Sequence, residues 1–140
     1  MSITSKELIA VAEKARLASY SPYSNFAVGA ALLCADGTVY TGCNIENASF
    51  TPTCCAERVA IFKAVSEGRR DFVAIAIVGG KKDAEERGIC APCGVCRQVL
   101  AEFCAPEMPV FLGSSNGKVV TTSVGELLPY TFKLRVDEND

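Results

Sequence analysis

The chain has no histidine among its 140 residues. That absence excludes a Ser-His-Asp triad, a Cys-His dyad and any imidazole metal ligand. A metal would have to sit on Cys, Asp or Glu, and a proton shuttle would have to be a carboxylate, Lys, Tyr or Cys. Long apolar runs are missing too. The longest, about residues 27–35 and 72–78, fall far short of the ~18 residues a membrane span needs. The opening Met1-Ser2-Ile3-Thr4 has no apolar signal core. Nor is there an excess of positive charge: 14 Lys and Arg against 16 Asp and Glu give a net charge of −2. Nucleic-acid binding needs a basic footprint, and the densest basic stretch, Lys81-Lys82, is followed at once by Asp83, Glu85 and Glu86. These absences predict a cytoplasmic protein that binds neither membrane nor nucleic acid. The length suits a single domain, residues 1–140.

Cysteine, by contrast, is abundant, with eight residues. A disulfide framework needs an oxidising compartment, and nothing here directs export. In a reducing compartment, clustered cysteines serve as metal ligands or reactive thiols, and spacing decides between them.

Local signals divide the chain into nine elements. Thr4-x-x-Glu7 fits a capping box, and Leu8, Val11, Ala12, Ala15 and Ala18 have helical spacing, with Pro22 ending that region. Residues 27–34 read as a buried strand, Asp36-Gly37 as a tight hairpin and 38–43 as the return strand. A polar loop over 44–53 precedes a helix over 55–67, stopped by Gly68. The β-branched run 72–78 predicts a strand covered on both faces. A loop over 79–92, a helix over 93–104, short strands at 110–112 and 118–121, and a capped helix from Ser123 to near Pro129 complete the order α-β-β-α-β-α-β-β-α. The pattern predicts an α/β fold: a three-layer α/β/α arrangement around a mixed five-stranded sheet. In such sheets sites collect where helices begin beyond strand ends, and both cysteine-bearing helix starts lie there.

The chemistry concentrates in Cys55-Ala56-Glu57-Arg58 and Pro92-Cys93-Gly94-Val95-Cys96. Cys93 and Cys96, three apart on one helical face, can reach one ion. Cys55 begins another helix, where the dipole and free amides favour thiolates. Three thiolates with one open position is the donor set of a catalytic zinc site; a structural site closes with a fourth protein ligand. Glu57, two residues from a ligand, can reach a metal-bound water only if Cys55 lies at the very first turn, because helical positions i and i+2 point about 200° apart. Arg58 shares the Cys55 face and can donate to its thiolate. Cys54 and Cys90 are further thiols in ligand range. Cys34, Cys43 and Cys104 read as small buried hydrophobes.

Cys-Ala-Glu followed by Pro-Cys-x-x-Cys resembles the zinc-dependent nucleoside and nucleobase deaminases. Residues 44–49 (Asn-Ile-Glu-Asn-Ala-Ser), 26–32 (Phe-Ala-Val-Gly-Ala-Ala-Leu), Cys96-Arg97-Gln98-Val99 and Leu127-Leu128-Pro129 are similar to the small homotetrameric cytidine deaminases. The resemblance runs from about Tyr20 to Phe132. It implies one Zn²⁺ per subunit on Cys55, Cys93 and Cys96, with Glu57 passing a proton from the activated water to N3 of the pyrimidine and later to the leaving ammonia, while the hydroxide attacks C4. It also implies that Asn44 and Glu46 bind the ribose 3′-hydroxyl, that Phe26 and Phe50 line the substrate site, and that backbone at Ala56 and Ala91 meets the base. Phe132 would stack on the base in a neighbouring subunit's site. Arg58 and Gln98 would support the site from behind. Phe50 stands where the family usually has Tyr, so any hydroxyl contact there is lost. Relatives with His-Ala-Glu use a neutral imidazole where this chain has Cys55; the third thiolate leaves the site one formal negative charge, which Arg58 and the two helix N-termini are placed to offset.

The implied activity is hydrolytic deamination of cytidine and 2′-deoxycytidine to the uracil nucleosides, as in pyrimidine salvage. A blasticidin S deaminase is the near alternative, since that family shares Pro-Cys-Gly-x-Cys-Arg-Gln-Val-Leu; Asn44-x-Glu46-Asn47 favours the nucleoside. Two further readings stay open on the residues alone. One is a non-catalytic zinc module closed by Cys54 or Cys90, and the other a redox dithiol at Cys93 and Cys96.

Overall fold

The computed structural model describes residues 3–134; the ends of the expected 1–140 domain lie outside the described residues. The elements follow the expected order: α1 (Ser5–Arg16), β1 (Phe26–Cys34), β2 (Val39–Cys43), α2 (Ala56–Ser66), β3 (Phe72–Lys81), α3 (Gly94–Phe103), β4 (Pro109–Gly113), β5 (Val119–Ser123) and α4 (Val124–Leu127). Both halves of the first capping box form. The Glu7 amide donates to Thr4 Oγ1 at 3.1 Å, and the Thr4 amide donates to the Glu7 carboxylate at 3.0 Å. In the β1–β2 turn Gly37 takes φ +93°, a left-handed conformation that glycine adopts without steric cost.

The five strands form one mixed sheet in the order β2-β1-β3-β4-β5. Only β3 and β4 are parallel, joined by the crossover through α3; the remaining neighbours are antiparallel. Helix α1 covers one face, packing Leu8 and Ala12 on Ala31, Ala74, Ala76 and Val78. The other face carries α2, α3 and α4, with Ala60, Ile61, Leu100 and Val124 on Leu32, Ile75, Ile77 and Val110. Strand β3 is therefore buried on both faces, its alternate residues feeding two cores.

Two glycines set how closely the helices approach. A Cβ on Gly29 would stand 2.1 Å from the Ala12 carbonyl oxygen of α1, and one on Gly42 2.2 Å from the Ala56 carbonyl oxygen of α2. Gly42 thus lets the first turn of α2 lie directly on the sheet, and this places Cys55 and Glu57.

Several element boundaries differ from the sequence reading, four of them near the site or beneath it. Helix α1 stops at Arg16, short of Ala18, because the buried Arg16 guanidinium donates to the carbonyls of Ala27, Gly80 and Lys81 and turns the chain there. Strand β3 runs on to Lys81, past the expected end at Val78, because Gly79–Lys81 pair with Val28–Phe26 of β1. Cys55 and Cys93 are helix N-caps, one residue outside α2 and α3.

Candidate active site

The loops leaving β2 and β3 bring the N-termini of α2 and α3 together beyond the sheet. Cys55 caps α2 and Cys93 caps α3, both in extended conformation with no side-chain capping bond, so each sulfur is free to turn toward the other helix. Cys96, in the first turn of α3, is fully buried. The Cys55 and Cys93 sulfurs lie 3.8 Å apart, those of Cys93 and Cys96 3.6 Å apart, and all three fall within 4.8 Å of one another. Sulfurs 2.3 Å from a tetrahedral zinc are spaced about 3.8 Å apart, so the Cys55–Cys93 and Cys93–Cys96 spacings match those around one zinc ion. Neither Cys54 nor Cys90 belongs to it, nor does the Glu57 carboxylate.

The electrostatics favour a cation at this point. The Cys96 hydrogen bond, together with Arg58, lowers the Cys55 pKa and puts the first negative charge there. The same hydrogen bond, burial and that charge hold Cys96 protonated. Ionisation of Cys96 is thus opposed unless a divalent ion offsets it, and metal binding releases that proton. Arg58 Nη2 donates to the Cys55 sulfur at 3.5 Å and to the Thr53 carbonyl at 3.4 Å, as its position three residues on predicts.

Glu57 is 3% exposed, and its Oε1 has no hydrogen-bond partner. Burial, the dominant cause, pushes its pKa up to about 7. A buried carboxyl oxygen left unpaired costs free energy that a folded protein ordinarily avoids, so it marks a place where a ligand or water completes the bonding. The geometric conflict between i and i+2 disappears because Cys55 is a cap and Glu57 the second helical residue.

Glu57, Cys55 and Cys93 open onto a cavity of about 280 Å³, also lined by Phe26, Asn44, Glu46 and Ala91. Asn44 Oδ1 accepts from the Val28 amide at 2.9 Å and the Ser19 hydroxyl at 2.5 Å, and its Nδ2 donates to the Phe26 carbonyl at 2.7 Å. One Nδ2 hydrogen remains for a ligand. Glu46 Oε1 accepts from the Tyr23 and Ser24 amides at 2.9 and 3.1 Å, and Oε2 accepts from the Ser24 hydroxyl. These bonds, led by the Ser24 hydroxyl, lower its pKa and keep it an ionised acceptor.

Other expected residues lie elsewhere. The Phe50 ring is 68% exposed and packs edge-on against Tyr23 at 6.0 Å, outside the cavity lining. The Ala56 side chain is fully buried in the core, while the backbone from which the contact with the base is expected is that of the first residue of α2. Gln98 donates to the Phe132 carbonyl at 3.2 Å and so holds the C-terminal segment instead of the sulfur cluster. Phe132 is 69% exposed and does not line this chain's own cavity. Ser24, Val28 and Thr53 also line the cavity and were not anticipated. Strand alternation from Phe26 signals Val28; Ser24 and Thr53 carry no local signal.

The model for the cytidine and deoxycytidylate deaminase zinc-binding region matches residues 2–112. The chain belongs to this deaminase family. It is 54% identical over 127 residues to a cytidine deaminase of Sporosarcina psychrophila, covering 91% of this chain and 90% of the relative. It is 53% identical to the cytidine deaminase of Halalkalibacterium halodurans, covering 95% and 96%. The crystal structure of a cytidine deaminase from Burkholderia pseudomallei superposes with a TM-score of 0.86 at 48% identity, covering 93% of this chain and all of that one. A blasticidin-S deaminase of Bacillus cereus is more distant, 36% identical over 108 residues. The deaminase fold and the zinc-binding sequence thus agree with the three-sulfur cluster. Among the described residues no helix is long and apolar enough to cross a membrane.

Proposed function

We propose that this deaminase converts cytidine and 2′-deoxycytidine, with one water, to uridine or 2′-deoxyuridine and ammonia. The observation that carries the reading is a three-cysteine cluster opening onto the same cavity as a buried carboxylate with an unpaired oxygen. Cys55, Cys93 and Cys96 hold the zinc ion, one per chain. When bound, it supplies Lewis-acid activation of a water molecule.

The residues of the chain supply the rest. Glu57 accepts a proton from the attacking water, delivers it to N3 as oxygen adds to C4, and then helps protonate the departing amine. Its pKa near 7 suits a group that must both take and give a proton at neutral pH. Phe26 and Val28 form an apolar wall for the base. Asn44 offers one N–H and Glu46 one acceptor oxygen, so together they pair with a group that both accepts and donates: a sugar hydroxyl.

The homotetramer, with Phe132 reaching a neighbouring subunit's site, completes the proposal and is supported by the family resemblance and by the exposed Phe132 ring. One catalytic domain spanning the chain and a cytoplasmic location belong to the proposal through the family resemblance alone. The net charge of −2 supports a free nucleoside over a polynucleotide as substrate.

The test follows ultraviolet absorbance as purified protein acts on cytidine, 2′-deoxycytidine and blasticidin S, before and after chelation. Cytidine turnover that chelation abolishes is expected. Exclusive turnover of blasticidin S would reassign the substrate, and no turnover of any would overturn the proposal. Arg58→Ala is expected to lower kcat/KM by on the order of 10–100-fold, the range for groups that support metal ligands, with a smaller effect on thermal stability. An equal loss of folding and turnover would reduce Arg58 to a structural charge.

A further inference from the structure

Arg97 follows Cys96 on α3, and its guanidinium spans two backbone carbonyls from different parts of the chain. Nε donates to Pro92 O at 2.7 Å, and Nη1 donates to Leu127 O at 3.0 Å. Pro92 is buried and directly precedes Cys93. Its carbonyl belongs to the peptide plane that enters Cys93, so holding it restrains the backbone from which that sulfur departs. Leu127 is the last residue of α4.

Against its own chain, the segment beyond Leu127 has little apolar anchorage. Tyr130 is fully exposed with φ +54°, and Phe132 and Leu134 are 69% and 85% exposed. Polar anchors therefore carry much of the docking. Two come from adjacent α3 residues: Arg97 at Leu127 O and Gln98 at Phe132 O. A segment held by a few such bonds opens at low free-energy cost unless its anchors are themselves fixed. Arg97 is fixed at its other end, by the carbonyl next to Cys93. Charge-assisted bonds of this kind are the stronger class, and losing the guanidinium would leave the buried Pro92 carbonyl without this partner.

We propose that Arg97 is a positioning residue joining Cys93 to residues 127–132, so that zinc retention and docking of that segment stabilise each other. The coupling is reciprocal by necessity: whatever factor docking adds to zinc affinity, zinc adds to docking. The inference rests on the reading that Cys55, Cys93 and Cys96 hold zinc.

The chain has no tryptophan, so Leu128→Trp, at a half-buried position of the segment, gives a single fluorescent reporter. Its emission is recorded in full-length protein with zinc, after chelation and after zinc is restored. The series is repeated with Arg97→Met and with Arg97→Lys, which keeps the charge on one nitrogen and cannot span both carbonyls. Zinc affinity is measured for each by competition with a chromogenic chelator. With Arg97 present, chelation should shift the emission to the red reversibly. In both Arg97 variants the emission should already be shifted, should not respond to zinc, and zinc affinity should be about tenfold weaker, the lower end of the range for outer-shell partners of metal ligands. If Arg97→Met fails to fold, the lysine variant carries the test. One zinc per chain with an emission insensitive to it, or an Arg97→Lys variant matching the parent in both readouts, would overturn the inference alone. A parent protein that takes up no zinc would overturn the zinc reading and the inference with it.

Discussion

Glu57→Gln is expected to retain one zinc per chain and to lose turnover by ~10²–10⁴-fold, the contribution of general acid-base catalysis by a positioned side chain. The substitution keeps the shape of the side chain, and the residue packs at the start of α2 without contributing a ligand atom to the sulfur cluster. What changes is proton chemistry: an amide cannot accept a proton from water or pass one to a ring nitrogen. Oε1 is buried with no protein partner, so no internal hydrogen bond depends on it. The variant should fold and bind metal, which separates a chemical defect from a structural one. Metal analysis and kcat on the same preparation check both halves. Activity at the parent level would sink the proton-shuttle role; loss of zinc alongside turnover would move Glu57 into the metal-holding structure.

Replacing the cysteines one at a time should split them sharply. Cys55→Ala, Cys93→Ala and Cys96→Ala are each expected to cost roughly 100-fold or more in zinc affinity, since structural zinc binding of about 10–16 kcal/mol is shared among four ligands. Zinc per chain should drop well below one and activity with it. Cys54→Ser and Cys90→Ser should keep zinc and most activity, because neither sulfur lies in the cluster. Zinc loss in either serine variant would instead support the closed, four-cysteine module. Cys96→Ala should also lower stability, because its sulfur is fully buried at the start of α3.

Much of this site was legible before any coordinates. Cys93-x-x-Cys96 sits at one helix start, where spacing alone aims both sulfurs at one point. Cys55-Ala56-Glu57 reads as the start of another. The capping box at Thr4 and Glu7, the hairpin at Asp36-Gly37 and the apolar run of β3 are also local signals, and each formed. The expected residues that lie off this chain's own cavity lining share a cause. Gln98 lies in a stretch that resembles a family motif and Phe50 directly follows one, yet a motif states which residue is present and not where its side chain turns. Gln98 found the Phe132 carbonyl, and Phe50 found Tyr23. The length of β3 was missed because Gly79 and Gly80 read as loop; pairing with β1 outweighed their weak strand propensity.

The amino-acid sequence by itself determined the chemistry available here. Without histidine a metal is limited to Cys, Asp or Glu donors, and Cys55, Cys93 and Cys96, with Glu57 close by, stand at spacings that can serve one ion. Those are properties of residue type and short-range spacing. Only the tertiary structure decided that three sulfurs from two helices lie within 4.8 Å, that two further cysteines do not, and that Glu57 is buried with an oxygen to spare. Spacing within a helix sets angles on that helix alone. The meeting of α2 with α3 depends on sheet order and on Gly42, which lets α2 lie directly against β2.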